Sequence, residues 1–244
     1  MQWILFQFIL LPVFLSAQQA SITTQKFSGY SDKLNDSLII DYPIIITDSK
    51  IAQNKINETI KLSIFGIMKD DTHPMDSIIQ EAIFDWLTGI DYEIYFNSSN
   101  ILSVLISSDG YGAYPSTLNS YFNFNLNNGE EIKIKDIISE GKLEEFKKKV
   151  RKDKFQVLTR HKNELRQMLQ EKEIDQETFN WAEEYMSYCF ESLDLENFII
   201  TKDYIQVFDE CEFPRASRYL SPAYELKYPI KPWRNKTLNS LRKP

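Results

Sequence analysis

Histidine, the side chain best suited to acid–base chemistry at neutral pH, is rare in this sequence of 244 residues. The two histidines are His73 and His161. His73 follows Asp70 and Asp71 in "DDTHP", where these side chains could bind a metal ion. Carboxylates also favour the first turn of a helix, because the helix dipole is positive there. His161 lies at the edge of an apolar helical stripe, which favours a packing role. We therefore expect no metal site and no cofactor.

Three carboxylates cluster in "FDECEF", where Asp209, Glu210 and Glu212 flank Cys211. Two carboxylates on either side of a glycosidic bond are the catalytic groups of most glycosidases. The chain has 35 acidic residues, however, so such clusters also arise by chance. It contains no HExxH, GxSxG, phosphate-loop or dinucleotide-binding motif. We expect a non-catalytic protein, with a carboxylate-dependent hydrolase of envelope polymers as the alternative.

Cys189 and Cys211 are the two cysteines of the chain. In an oxidising compartment they can form one intramolecular disulfide, which would contribute about 3 kcal/mol to stability. The alternative is two buried thiols that do not meet, because spacing in sequence does not determine the separation of the Cα atoms. Neither cysteine belongs to a CxxC pair, so redox catalysis and zinc binding are not indicated.

The segment "GYGAYPSTLNSYFNFN" at residues 110–125 combines glycine, proline and tyrosine before an alternating strand pattern. Three of the seven glycines of the chain lie between positions 110 and 129, so unusual backbone angles are expected there. Such a loop can present aromatic faces outward, which suits recognition of a sugar or a protein. The alternative is that both loop tyrosines fold back over the sheet edge. The candidate ligand-binding residues are Asp109, Tyr111, Tyr114 and Tyr121.

The first 17 residues, "MQWILFQFILLPVFLSA", contain no charged side chain. Their apolar run has the length of a signal-peptide core and is short for a membrane-spanning helix, and Ala17 suits a cleavage site. We predict a signal peptide at 1–17 and an exported protein, periplasmic or extracellular. The alternatives are an uncleaved anchor, which would place the protein at a membrane, and a buried strand or helix.

The charge balance restricts the partners. With 28 basic and 35 acidic residues the formal net charge is −7, which argues against nucleic acid and anionic lipid as ligands. The expected partner is peptidoglycan or a secreted protein. Segment 142–172 is rich in basic residues and segment 173–225 in acidic ones. This asymmetry indicates either a binding surface or, more simply, charged segments that face each other or the solvent.

Hydrophobic spacing predicts the secondary structure. The predicted helices cover 49–68 (with a cap at Thr47 or Asp48), 74–89, 142–171 (continuous, or broken near Asp153) and 175–192. The predicted strands cover 37–46, a hairpin at 91–108 that turns at 97–100, a hairpin at 118–135 that turns at Asn128–Gly129, a hairpin at 197–209, and 222–230.

This order of elements predicts an α+β fold, with antiparallel sheets and helices packed on one side. Two intimately joined subdomains are expected at 18–92 and 93–236, followed by a tail at 237–244.

Three segments carry a resemblance to a known bacterial family. They are "YPIIITDSKIAQNKINETI", "YEIYFNSSNILSVLISSDGYGAYPSTLNSYFNFNLNNGEEIKIKDII" and "FIITKDYIQVFDECEFPRASRYLSPAYELKYPI". In this order they resemble the exported domains of unknown function in the extracellular region of RsiV-type anti-sigma factors and beside the catalytic module of PdaC-type peptidoglycan deacetylases. The family's loop carries histidine before proline, whereas Tyr114 stands there in this chain, so no role of that histidine transfers. The resemblance implies an exported α+β binding module without the deacetylase module. A structural or inhibitor-like envelope protein is a further alternative.

Overall fold

The structure is a computed structural model that describes residues 18–67, 73–209, 211, 213–222, 224–233 and 235. The predicted signal peptide 1–17 and tail 237–244 lie outside the described residues, as do Asp70 and Asp71. Within the described ranges, no helix has the length and apolar character needed to cross a membrane.

Among the described residues, eight strands form three antiparallel sheets with the orders β1-β2, β3-β4-β5 and β6-β7-β8. The strands are β1 (Ser21–Ser31), β2 (Asp36–Ile46), β3 (Leu87–Ser98), β4 (Ile101–Tyr111), β5 (Pro115–Asn125), β6 (Phe198–Ile200), β7 (Tyr204–Val207) and β8 (Leu226–Pro229). The α+β class with antiparallel sheets is thereby confirmed.

In the described part of the chain, the helices occur in groups between the strands, two after β2, three after β5 and one after β7. They are α1 (Lys50–Phe65), α2 (Met75–Asp85), α3 (Ile134–Ile137), α4 (Glu140–Gln170), α5 (Gln176–Glu191) and a 3-10 helix (Arg215–Leu220). α1 begins where the Ser49 hydroxyl accepts a hydrogen bond from the Ala52 N–H, and it ends at Gly66, which has a left-handed φ of 61°. α4 is one continuous helix, which agrees with the first of the two predicted alternatives and not with a break near Asp153.

Two apolar clusters lie on opposite faces of the central sheet β3-β4-β5. One face packs with β1, β2, α1 and α2 around Val104 and Phe124. The other packs around Ile101 with α3, the first half of α4 and the sheet β6-β7-β8. A third cluster joins the second half of α4 to α5 and the 3-10 helix. β4 is consequently buried along most of its length, because both of its faces are covered.

Some predicted element boundaries differ from those in the structure. The second helix ends at Asp85, and Gly89 lies inside β3 instead of stopping the helix. The turn at Gly129 forms, with a φ of 72°, and brings the chain against the α1 backbone. The strand expected after this turn is limited to one bridge, between Phe124 and Glu131. The short helix α3 follows, because the Asp136 carboxylate accepts the Lys133 N–H at 2.8 Å and caps its first turn.

β1 is an element that the sequence interpretation missed. Its single buried aromatic side chain, Phe27, lies among polar residues, so its sequence shows no clear alternation. Residue 93, the predicted boundary between subdomains, lies within β3.

A buried amide joins the central sheet to β6. The Asn123 side chain is 2% exposed and donates from Nδ2 to the Phe198 carbonyl at 2.8 Å. Its Oδ1 accepts the Ile200 N–H at 3.1 Å and the Ser103 hydroxyl at 2.7 Å. β5 and β6 belong to different sheets. Two backbone groups of β6 therefore depend on side chains of the central sheet for their hydrogen bonds.

We expect Asn123→Ala to lower the free energy of unfolding by about 2–4 kcal/mol, because a buried backbone group without its partner costs about 1–3 kcal/mol. Denaturant unfolding followed by tryptophan fluorescence measures this loss. Asn119→Ala is the matched control, since Asn119 lies on the same face of β5 and its bond with Ser107 is exposed. Equal stability of the two variants would contradict the role given to Asn123.

Tyr42 provides a second test of the core. Its ring packs between Phe27 and Phe65, and its hydroxyl has no hydrogen-bond partner among the described residues. Burial raises the pKa of Tyr42. The contribution of this pKa shift to the free energy of unfolding is fully present below pH 10, which is about the pKa of tyrosine in the unfolded chain. It is lost as the pH rises above that value.

Tyr42→Phe should raise the free energy of unfolding by about 1 kcal/mol at neutral pH, because it removes an unsatisfied buried hydroxyl and keeps the ring. It should also reduce the loss of stability above pH 10. Unfolding curves at pH 7 and at pH 10.5 measure both effects. Tyr188→Phe, at an exposed position, is the control and should change neither. A less stable Tyr42→Phe protein would show that the hydroxyl contributes favourably.

Candidate functional site

The four tyrosine and aspartate candidates lie on or next to one face of the central sheet. Odd-numbered residues of β4 and β5 share this face, and Asp109 lies opposite Thr117 and Leu105 opposite Tyr121. The Thr117 hydroxyl donates to Asp109 at 2.6 Å. Tyr111 lies at the end of β4 nearest the loop.

The loop itself is shorter than its sequence indicates. Gly110 belongs to β4, and neither it nor Gly112 has a positive φ. Gly110 is required for a different reason, because an added Cβ would lie 2.7 Å from the Trp86 ring. Tyr114 is 65% exposed. The loop therefore presents one of its two tyrosines to solvent, while Tyr111 is half-buried.

A cleft of about 340 Å³ lies farther along the same face. Tyr121 forms its floor together with Phe208, and their rings are stacked with centroids 4.1 Å apart and planes 17° apart. The lining residues are Thr117, Leu118, Asn119, Tyr121, Ser192, Asp194, Asn197, Phe208 and Asp209. The structure thus places Tyr121 in the cleft. Asp109 does not line the cleft, but it accepts a hydrogen bond from the lining residue Thr117. Tyr111 and Tyr114 are not among the lining residues.

One wall of the cleft is formed by the chain between Cys189 and Cys211, and a disulfide joins the two ends of this segment. Cys189 and Cys211, whose pairing the sequence left open, are joined with their Cα atoms 5.5 Å apart. The four lining residues of this wall, and Phe208 of the floor, lie between the two cysteines in sequence. Within it, Asp194 accepts the Glu196 N–H at 2.7 Å and the Asn197 amide at 2.8 Å. The wall is therefore held by a covalent bond at its ends and by hydrogen bonds inside.

A buried ion pair lies at the base of this wall. Lys154 of α4 and Asp209 are each 3% exposed, with Nζ 2.8 Å from Oδ2. The geometry of this contact is not that of a hydrogen bond, and Oδ2 has no hydrogen-bond partner among the described residues. The contact is therefore an ion pair. Lys154 also donates to the Ser192 carbonyl at 3.0 Å and hydroxyl at 3.1 Å. α4 thus ties both ends of the wall to the protein interior.

The other sequence candidates have structural roles or lie outside the description. His161 bonds Glu164 through Nδ1 and the Leu220 carbonyl through Nε2, as a packing histidine would. Glu210 and Glu212 lie outside the described residues. Among the described residues, no group of three or more His, Cys, Asp or Glu side chains is arranged to hold a metal ion.

Phe208, Asp194 and Asn197 were missed by the sequence interpretation. Phe208 lies directly after a strand and carries no motif, and its contact with Tyr121 joins segments far apart in the chain. The one available signal was the pair of cysteines, because a bridge between them encloses all three residues. Tyr121 was detectable because an aromatic residue stands on the otherwise polar face of an alternating strand.

The fold and cleft together define an α+β protein with three antiparallel sheets and a polar cleft with an aromatic floor. The sequence matches no protein-family model, and no curated protein is similar to it in sequence. Solved structures with a similar fold include two DUF3298 proteins. A DUF3298 family member from Bacteroides fragilis superposes with a TM-score of 0.55 at 16% identity, covering 93% of this chain and 98% of that one.

A DUF3298 family protein from Pseudomonas aeruginosa superposes with a TM-score of 0.51 at 10% identity, covering 91% of this chain and 93% of that one. At these identities the similarity establishes a shared fold. The fold is therefore one found in proteins assigned to a domain of unknown function, and the function must be argued from the cleft.

Replacing both cysteines by alanine should lower the free energy of unfolding by about 3 kcal/mol, because the bridge restricts a loop of this length in the unfolded chain. Guanidinium unfolding of the oxidised protein and of Cys189→Ala/Cys211→Ala measures the difference. Reductant should weaken the parent protein and leave the double variant unchanged. Equal unfolding midpoints without reductant would show that the bridge contributes no stability.

Proposed function

We propose that this protein is an exported, non-catalytic binding module of the cell envelope, and that its cleft binds a glycan. The single observation that carries the proposal is the Tyr121–Phe208 stack beneath walls of amide and hydroxyl groups. Concave sites lined by apolar and aromatic surface with a few placed polar groups are the usual form of a small-ligand site.

The chemistry of the walls suits a sugar. Asn119 uses its Oδ1 to accept the Ser107 hydroxyl at 2.8 Å, which leaves its amide N–H groups directed to solvent or ligand. Asn197 donates to Asp194, which leaves its carbonyl oxygen as an acceptor. A sugar ring presents an apolar face of C–H groups with hydroxyls around its edge. The stacked rings of Tyr121 and Phe208 match the apolar face of the sugar, and the amide groups of the walls match its hydroxyl groups.

Export is supported by two features. The apolar leader at 1–17 has the composition of a signal peptide. The disulfide is of the kind that persists in oxidising compartments and is rare in the cytosol. Peptidoglycan or another envelope glycan is the ligand that such a compartment offers.

A catalytic role in glycan hydrolysis is less well supported than glycan binding. A glycosidase needs one carboxyl group as acid and a second as base or nucleophile, both facing the scissile bond. In this cleft Asp194 is engaged by its own loop, and Asp209 is paired with Lys154. Both carboxylates therefore already have structural partners in the wall.

Sedimentation of the purified protein with isolated peptidoglycan tests the proposal. We expect retention by the polymer and a loss of about tenfold in affinity for Tyr121→Ala, because the floor of the cleft is removed. Asn119→Ala, which removes no buried contact, should weaken binding by about threefold. Circular dichroism shows whether each variant is folded.

Tyr114→Ala is the matched control, since Tyr114 is exposed and lies outside the cleft lining. Loss of retention for Tyr114→Ala but not for Tyr121→Ala would transfer the binding surface to the loop and overturn the assignment of the cleft. Retention of a secreted protein and of no glycan would favour the protein-partner alternative. Release of reducing ends would favour a hydrolase.

A further inference from the structure

The two segments that form most of the cleft contain carboxylates but no basic side chain. Residues 87–132 supply the central sheet, and residues 173–201 supply α5 and the connection to β6. Neither segment contains Lys, Arg or His, although the chain as a whole has 28 lysines and arginines. Seven of the nine lining residues belong to these segments, and the remaining two are Phe208 and Asp209.

Lys154, the cation in contact with the lining residues Ser192 and Asp209, is unavailable to a ligand. A lysine ammonium group has three N–H donors. Lys154 donates two of these to the Ser192 carbonyl and hydroxyl at 3.0 and 3.1 Å, and its Nζ lies 2.8 Å from the Asp209 carboxylate. The side chain is also buried, and its charge is cancelled by Asp209. Among the described lining residues, an anionic group in the cleft would therefore meet no positive charge.

The carboxylates around the cleft are not cancelled in this way. Asp194 lies in the wall, and its hydrogen-bond donors among the described residues are the neutral Glu196 N–H and Asn197 amide. On the same face of the sheet, Asp109 accepts the neutral Thr117 hydroxyl, and Asp91 accepts the Tyr92 N–H. None of these three forms an ion pair with a described residue.

Another carboxylate, Glu93, lies on β3 opposite Leu105. It accepts the Tyr95 hydroxyl at 2.9 Å, and burial together with this hydrogen bond raises the pKa of Tyr95 to about 12. The tyrosine therefore stays protonated at neutral pH, so the hydrogen-bond partner of the Glu93 carboxylate is a neutral group. Lys133 pairs with Glu131 and lies 3.8 Å from Glu196, so this cation is engaged by carboxylates.

We propose that the cleft prefers a glycan that carries protonated amino groups, such as an oligomer of glucosamine units without acetyl groups. The inference rests on the proposed glycan-binding function and adds the charge of the ligand. The stacked rings would hold a sugar face, and the ammonium group on the ring would lie toward the uncompensated carboxylates. Asp194 lines the cleft itself, so its charge would act on a bound ammonium group within the Debye length of about 8 Å at physiological salt.

Calorimetric titration with three tetrasaccharides of equal length tests this preference, namely β-1,4-linked glucosamine, its N-acetylated form and an oligomer of uronic acid. At pH 5.5 and low salt, we expect the amine form to bind about tenfold more tightly than the acetylated form, and the acid to bind most weakly. The advantage should shrink in 0.5 M NaCl, because salt screens exposed charges. It should also shrink at pH 9, because the amines lose their protons.

Asp194→Asn should bring the affinities for the amine and acetylated forms to within about twofold of each other. Because Asp194 also orders its loop, Asp109→Asn serves as a second variant. Its Oδ1 can still accept the Thr117 hydroxyl, and the advantage of the amine should fall about threefold. Glu145→Gln removes an exposed charge on α4 and is the control, which should leave the ratio unchanged.

The outcomes separate the two proposals. Equal or tighter binding of the acetylated form, abolished by Tyr121→Ala, would overturn the charge preference and leave the glycan-binding function in place. Binding of none of the three sugars would contradict the proposed function itself. Binding of an oligolysine peptide alone would show that the negative surface serves a cationic polypeptide, and it would overturn both.

Discussion

The hydrogen bonds of the buried Asn123 amide determine where the second half of the chain meets the central sheet. β6 shares no backbone ladder with β5, so its Phe198 carbonyl and Ile200 N–H need side-chain partners. Asn123 can satisfy both only when β6 lies directly over it. Phe198 in turn pairs with Val207 of β7, and Phe208 follows. Since Tyr121 precedes Asn123 by two residues on the same face of β5, the amide places Phe208 against Tyr121 and so defines the floor of the cleft.

Local patterns were sufficient to predict most elements of this fold, because their hydrophobic periods are clear. The stripe of Ile56, Ile60 and Ile64 predicts α1, and the positive backbone angles of the turn before β4 fall within the predicted 97–100. The sequence-based prediction is wrong where one hydrophobic pattern is compatible with both a strand and a helix. Ile132 and Ile134 alternate as in a strand, yet Ile134 and Ile137 are also one helical turn apart and both are buried in α3. Only the packing against the second apolar cluster distinguishes these possibilities.

The cleft could be predicted only in part, for a different reason. Its floor and walls come from strands and connections distant in sequence, and their contacts depend on the Asn123 bonds and on the disulfide. Reasoning from glycine and proline placed the binding residues at the loop, but Gly110 is explained by the nearby Trp86 ring instead of by a special turn. Tyr121 was found because its own strand shows which face it lies on. No local pattern identifies Phe208 as its partner.

The Lys154–Asp209 pair gives a physical reason to regard the cleft as a preformed site. Burying both charges carries a desolvation cost that the mutual attraction only partly offsets, so the pair is weak as a source of stability. Its effect is positional, because Lys154 holds the Ser192 backbone and the Asp209 side chain at the two ends of one wall. The disulfide restricts the same ends covalently. A wall ordered before the ligand arrives loses little conformational entropy on binding. That is the arrangement expected of a site that recognises a ligand by shape and charge.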